Sequence, residues 1–342
     1  MSRIKILLSV FPALFAMTVG VQAQNNTVST DPVGFVCTDL PAMGFTYLGV
    51  SLTNAPTLTS ANTTLSGNTV SVGVDLTALS GNTSYAMEIN DGTYEGFAAD
   101  IDSWAGQTIT LTEDIEAGGV LPGNMTNPGF DGSRVTIREL PTIASVFGAT
   151  NSAGLKPGAL TSADRIYLFN SETFSKIFYT LGGGFGVTEG WKDEDGFDAG
   201  STPIHFGDGL VIETKDTVAK KIAISGSVKL GPTNLPLYQG FNLVSNPSPI
   251  TDSHTLADSG IKVGLQWGSA ATGDLLYIPS SGGGFDRYHY TLAGGFGVTE
   301  GWKNAETGAD SDAILLPNAG SFFILRRSGQ SSVMVAEDLP NR

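Results

Sequence analysis

One stretch of this chain occurs twice. Residues 179–192 read YTLGGGFGVTEGWK and residues 290–303 read YTLAGGFGVTEGWK, identical at 13 of 14 positions and 111 residues apart. A chain that repeats itself at a fixed offset is built from like units that fold alike, so the repeat restricts the architecture before any single residue does. The likeness extends on both sides. Downstream, Pro203–Ile212 aligns with Ile314–Phe323 at the same offset of 111. Upstream, Asp164-Arg165-Ile166 matches Asp274-Leu275-Leu276 at 110, and Thr142-Ile143-Ala144 matches Thr255-Leu256-Ala257 at 113. The repeated body therefore covers roughly 140–222 and 253–333.

Each body has a head. Leu40-Pro41-Ala42-Met43-Gly44-Phe45 resembles Leu235-Pro236-Leu237-Tyr238-Gln239-Gly240-Phe241. Gly44 lies 98 residues before Thr142, whereas Gly240 lies 15 before Thr255, so the first copy holds about 83 more residues. These carry strand runs at 69–74, 85–89 and 107–111, with the turn signal Asn90-Asp91-Gly92 between apolar stretches. The expected division is a signal peptide at 1–23, a first repeat unit at 24–57 and 139–222, an inserted β-hairpin lobe at 58–138, and a second repeat unit at 223–342.

Short β-branched or alternating runs bounded by Gly, Asn, Asp and Ser recur throughout. Helical signals are brief, at Thr142–Phe147, Thr255–Ser259 and Ser162–Asp164, where Ser or Thr can cap a single turn. The fold class is all-β, with tandem sandwich-like units.

Arg3 and Lys5 precede an apolar run from Ile6 to about Val19 and then Val21-Gln22-Ala23. That order predicts a secretory signal peptide cleaved after Ala23, and an exported protein in the periplasm, outside the cell or on its surface. The sole cysteine, Cys37, has no intramolecular partner and reads as a small buried apolar side chain in a strand. A balance of 18 Lys and Arg against 33 Asp and Glu, net −15, repels phosphate backbones and excludes nucleic acid as a partner.

A series of short motifs resembles a family of exported bacterial proteins without an assigned activity. They are Asp31-Pro32-Val33-Gly34-Phe35, Thr142–Gly148, Ala163-Asp164-Arg165-Ile166, Gly190-Trp191-Lys192 and Asn242-Leu243-Val244-Ser245-Asn246-Pro247, in this order over nearly the whole mature chain. The resemblance implies export and a β-rich duplicated body, and it brings no catalytic residue. The near-identity of the two Gly-rich motifs is closer than halves of such a family would show.

Gly182–Gly190 has the glycine content of a phosphate loop but lacks the following helix of a dinucleotide fingerprint, and reads as a hairpin loop. Its aromatic residues have two readings. Phe185, Trp191, Phe296 and Trp302 either anchor the loops to the sheet or form two exposed platforms on which sugar rings stack. Asp193, Asp195 and Asp198 set oxygen ligands at spacings calcium could use, although the full acidic loop pattern is absent and the second copy loses most of the acids. No other cofactor is expected. His205, His254 and His289 are far apart, and neither a Gly-x-Ser-x-Gly elbow nor a His-Glu-x-x-His helix is present.

The sequence thus reads as an exported, non-enzymatic β protein with a structural or adhesive role at the cell surface or in the extracellular matrix, its partner a polysaccharide or protein polymer. The alternative is a carbohydrate-binding module using the repeated Gly/aromatic loops. A glycoside-active enzyme is the third reading, since paired carboxylates leave no sequence spacing.

Overall fold

The computed structural model describes residues 32–112, 127–170, 173–183, 186–229, 231–246, 254–294, 297–327 and 332–336. The predicted signal peptide lies outside them. Among the described residues the chain is nearly all antiparallel β-sheet, and no helix is long and apolar enough to cross a membrane.

Two five-stranded sheets have one strand order. In the first the neighbours run Gly190–Asp193, Phe174–Thr180, Arg165–Phe169, Gly209–Glu213, Phe45–Gly49. In the second they run Gly301–Asn304, Phe285–Thr291, Leu275–Pro279, Ser321–Arg326, Gly240–Ser245. Each sheet is faced by strands from the unit's head and tail: Val33–Leu40 on Lys220–Val228, with the short Leu52–Thr53 on the tail's other edge, and Thr233–Leu237 on Ser332–Ala336. Between the layers of the first unit pack Leu40, Leu48, Ile166, Trp191, Ile222 and Ile224. In the second, Leu235, Leu237, Val244, Leu276, Trp302 and Ile324 do the same. Alternation along each strand supplies these apolar faces, one inward residue in two.

The register of the repeat changes within the acidic loop. Thr142 bridges Pro203 in the first unit and Thr255 bridges Leu315 in the second, an offset of 112 beyond the loop rather than 111. The extra residue lies between Lys303 and its partner Asp310, which correspond to Lys192 and Asp198. A loop absorbs one residue freely, whereas a one-residue slip in a strand would turn every side chain to the wrong face.

A buried aspartate ties each unit together. Asp164 accepts the backbone N–H of Lys156 at 2.7 Å and of Lys215 at 2.6 Å, and pairs with Lys220 at 3.1 Å. Asp274 accepts those of Gln266 at 2.7 Å and Arg327 at 2.8 Å, and pairs with Arg326 at 2.5 Å. Both are 1% exposed, so the carboxylate is stable only because charge and lone pairs are met.

Seven strands between Pro56 and Glu139 form a further sheet, with its own core around Val70, Met87, Ile89, Ile109, Phe130 and Val135. It docks on the second unit's head. Asn234 donates its backbone N–H to Gly96 O at 2.9 Å, and buried Glu88 takes Lys229 at 2.6 Å and Arg138 at 3.4 Å. Gly96, at φ 88°, is required here, since a Cβ would run into the Pro232 carbonyl.

The helical expectations hold in part. Ile143–Phe147 is a helix capped by Thr142, whose side chain accepts from Ser145 N at 3.1 Å. In the second unit the short helix is instead Ile261–Gly264, after a turn at 256–259. Cys37 is exposed, not buried as its apolar neighbours suggested. It shares the outward face of its strand with Val33 and Phe35, which are 78% and 75% exposed, while Leu40 turns inward.

The two five-stranded sheets meet backbone to backbone through reciprocal contacts. Leu48 bridges Gly320, and Val244 bridges Asp208 at the equivalent place. Gly49 donates to Ala319 O at 2.8 Å and Ser245 to Gly207 O at 2.7 Å. A Cβ on Gly49 would overlap the Gly320 carbonyl and lie 2.5 Å from Ser245 Oγ. Gly49→Val should therefore cost about 1–3 kcal/mol of stability, the range for overpacking. Gly81→Val, with nothing within 4 Å of its Cβ, should change it by about 0.5 kcal/mol or less. Urea denaturation of both variants checks this, and equal midpoints would refute the close approach.

Candidate functional site

The repeated loops come first, because the sequence placed its candidates there. Trp191 is 3% exposed, with Tyr179 at 5.1 Å and Phe147 at 5.9 Å between ring centres, and its Nε1 donates to Gly148 O at 2.8 Å. Trp302 is fully buried against Tyr290 at 5.5 Å. Neither offers a face to a sugar, which corrects the platform reading. Both lie on strands whose inward positions fill the sandwich core. Phe185 and Phe296 lie outside the described residues.

The rest of the motif is internally bonded in the same way twice. Tyr179 Oη donates to Glu189 at 2.7 Å and Tyr290 Oη to Glu300 at 2.6 Å. Lys192 Nζ donates to Thr188 Oγ1 at 2.8 Å and pairs with Asp198; Lys303 Nζ donates to Thr299 Oγ1 at 2.7 Å and pairs with Asp310. The Glu300 hydrogen bond and, above it, burial push the Tyr290 phenol up to about 12. Thr, Glu, Trp and Lys of the shared TEGWK each have an internal partner or a core position, so folding alone constrains these positions.

The calcium candidates do not converge. Asp193 Oδ1 accepts the backbone N–H of Asp195 at 3.0 Å and of Phe197 at 2.8 Å, while Asp198 pairs with Lys192. In the second unit Asn304, uncharged, accepts from Glu306 and Thr307, both at 2.9 Å. The task at this position is making a turn, which a neutral amide performs equally well. Among the described residues no group of three or more His, Cys, Asp or Glu is placed to hold a metal ion. His205 is accordingly not assembled with His254 and His289.

The structure brings together two features that sequence spacing did not reveal. The first is an aromatic surface across the junction of the two sheets. Phe169 and Phe323 approach to 5.8 Å, Tyr47 and Phe285 to 5.1 Å, and Phe241 and Phe323 to 6.0 Å. Phe241 is 42% exposed and Phe45, on the same strand face as Tyr47, is 58% exposed. The signal available in the sequence was only the matching Gly-Phe pairs at 44–45 and 240–241.

The second is a cavity of about 500 Å³ where the seven-stranded sheet meets both units. Phe97, Phe169, Phe206, Leu235 and Phe241 form apolar walls, and Asp100, His205 and Asp208 supply the ionisable edge. His205 Nδ1 lies 2.5 Å from Asp100 Oδ2, across 105 residues of sequence. That hydrogen bond raises the imidazole above its usual range, against the opposing effect of burial. Burial raises the Asp208 carboxyl to about 7, with the His205 charge opposing and Asp100 adding to the rise.

No family model matches the chain, and neither a curated protein nor a solved structure is significantly similar to it.

Trp302→Ala should cost about 3–5 kcal/mol, the usual penalty for truncating a buried aromatic side chain. Equilibrium denaturation reads this, and a stability unchanged from wild type would return Trp302 to the surface. A pH effect also follows. Asp208 holds its proton in the folded state above the 3.8 of the unfolded group, so its contribution to stability is lost as pH rises from 3.8 to about 7. His205 acts in the same direction: its contribution is complete below 6.5 and lost as pH rises through its higher folded value. Between pH 4.5 and 8 the Tm difference between Asp208→Asn and wild type should therefore shift in favour of the variant. Parallel curves would mean an ordinary carboxyl.

Proposed function

We propose that this chain is an exported, non-catalytic β protein, built of two copies of one unit, with a structural or adhesive role at the cell surface or in the extracellular matrix. The observation that carries the reading is the aromatic surface shared by both sheets. Phe45 and Phe241 are exposed, and Tyr47 and Phe285 beside them are partly exposed; contiguous apolar patches of this kind mark contacts with other molecules. A partner lying along it would touch both units at once, and two linked contacts on a polymer hold more tightly than either alone. The acidic balance of the chain favours neutral or basic polymers.

The test is retention of the chain from Gln24 onward on insoluble chitin, cellulose, peptidoglycan and collagen. Wild type should be held by at least one of them. The double variant Phe45→Ser, Phe241→Ser, exposed enough to leave the core intact, should lower the bound fraction at least tenfold. Retention on none, or equal retention of the folded variant, would sink the adhesive reading.

A further inference from the structure

We propose that the cavity between the seven-stranded sheet and the two units binds a neutral saccharide, with Phe241 under the sugar ring and Asp100, His205 and Asp208 holding its hydroxyls. The site differs from the repeated loops and extends the adhesive reading by naming the ligand class, and it rests on that reading for its choice of a sugar.

Size and lining come first. A cavity of about 500 Å³ is in the range of small-molecule sites, which combine apolar walls with a few convergent polar groups. A pyranose has that dual character: C–H groups on its faces and hydroxyls around its rim. Phe241 gives an exposed ring for the face, and it belongs to both the cavity lining and the aromatic surface.

The polar edge has hydrogen-bonding capacity left over. Among the described residues the Asp208 side chain has no hydrogen-bond or ion-pair partner, although its backbone N–H donates to His205 O at 3.1 Å. His205 lines the cavity and uses Nδ1 on Asp100, and with its side chain 51% exposed Nε2 is left for a ligand. A carboxyl raised to about 7 is present in both forms near neutrality and can donate to or accept from a hydroxyl. A partly buried polar group without a partner is costly, and a ligand that satisfies it recovers that cost.

The two units differ at this place. The bridges that define their register put Pro317 and Gly320 of the second unit where the first has His205 and Asp208. The second unit's corner is closed on itself, with Asn246 Nδ2 donating to Pro317 O at 2.9 Å. Asp100 comes from the seven-stranded sheet, which has no counterpart among the described residues of the second unit. The common scaffold therefore does not need this trio. A purely structural role would leave an Asp100–His205 tie between sheets, but it gives no use to Asp208.

The experiment is calorimetric titration of the chain from Gln24 onward with maltotriose, cellotriose, mannotriose, xylotriose and tri-N-acetylchitotriose. At least one should bind saturably. Asp208→Ala and His205→Ala should each weaken that sugar at least tenfold, while circular dichroism and Tm at pH 6 confirm folding. Lys221→Ala, which removes an exposed ion pair with Asp39 that takes no part in the cavity lining, should leave affinity unchanged. Should His205→Ala loosen the seven-stranded sheet, Asp208→Ala alone carries the test, since among the described residues its side chain has no hydrogen-bond or ion-pair partner to lose. Binding by none of the five sugars, or equal binding by the folded cavity variants, overturns the site. Polymer retention that persists without sugar binding would overturn the cavity alone. Sugar binding without polymer retention would overturn the adhesive role and leave the site standing.

Discussion

Direct backbone contact between the two five-stranded sheets is the constraint on which the rest of this molecule depends. Gly49, Gly209 and Gly320 stand at the contact with Ser245 and Ser321, and larger side chains there would push the sheets apart. Because the edges touch, the outer faces continue from one sheet to the next, and aromatic residues from both come within ring-contact distance. The same contact brings the corner at His205–Asp208 beside Val244. The aromatic surface and the cavity are thus two consequences of one packing solution.

Within each unit the same stabilising devices recur. A buried aspartate gathers a preceding loop and the chain just beyond a neighbouring strand, and a cation balances it: Lys220 from the tail strand in one unit, Arg326 from the end of a sheet strand in the other. The Gly-rich loop is pinned by a Tyr–Glu hydrogen bond and a Thr–Lys–Asp set. These are coupled contacts, in which losing one partner leaves another buried and unpaired, so drift at any position is penalised. That accounts for the similarity of the loops without a ligand. Where the coupling ends, the units diverge: the acidic turn takes Asp193 in one and Asn304 in the other, and differs in length by one residue.

Divergence is concentrated on one side of the junction. There the seven-stranded sheet lies against both units, held by the buried Glu88 with Lys229 and Arg138. A structure made only of two like units would present two like corners. Here one corner is self-closed around Pro317, and the other carries an imidazole and an under-satisfied carboxyl facing apolar walls. Like units supply rigidity, and the seven-stranded sheet supplies the difference between the two sides.

Much of the fold was legible in the amino-acid order. Alternation of apolar residues, with Gly and Asn between the runs, specified strands, because side-chain period and turn chemistry are local properties. The Thr142 cap was legible for the same reason. The aspartates at 164 and 274 appeared as matching letters, although their role as buried ties did not. Trp191 and Trp302 carried two readings, core anchor and surface platform, and the sequence left them open because a tryptophan in a Gly-rich motif looks the same whether its strand face turns inward or outward. The reading of Cys37 as buried failed, its apolar neighbours concealing an outward face. What the sequence by itself determined was the kind of element, the repeat and the net charge, since each depends on near neighbours or on composition. Which face was buried, how the two sheets met, and that His205 would lie 2.5 Å from Asp100 were decided only by the tertiary structure. Those depend on contacts between residues a hundred or more positions apart, for which a single sequence has no periodicity to read.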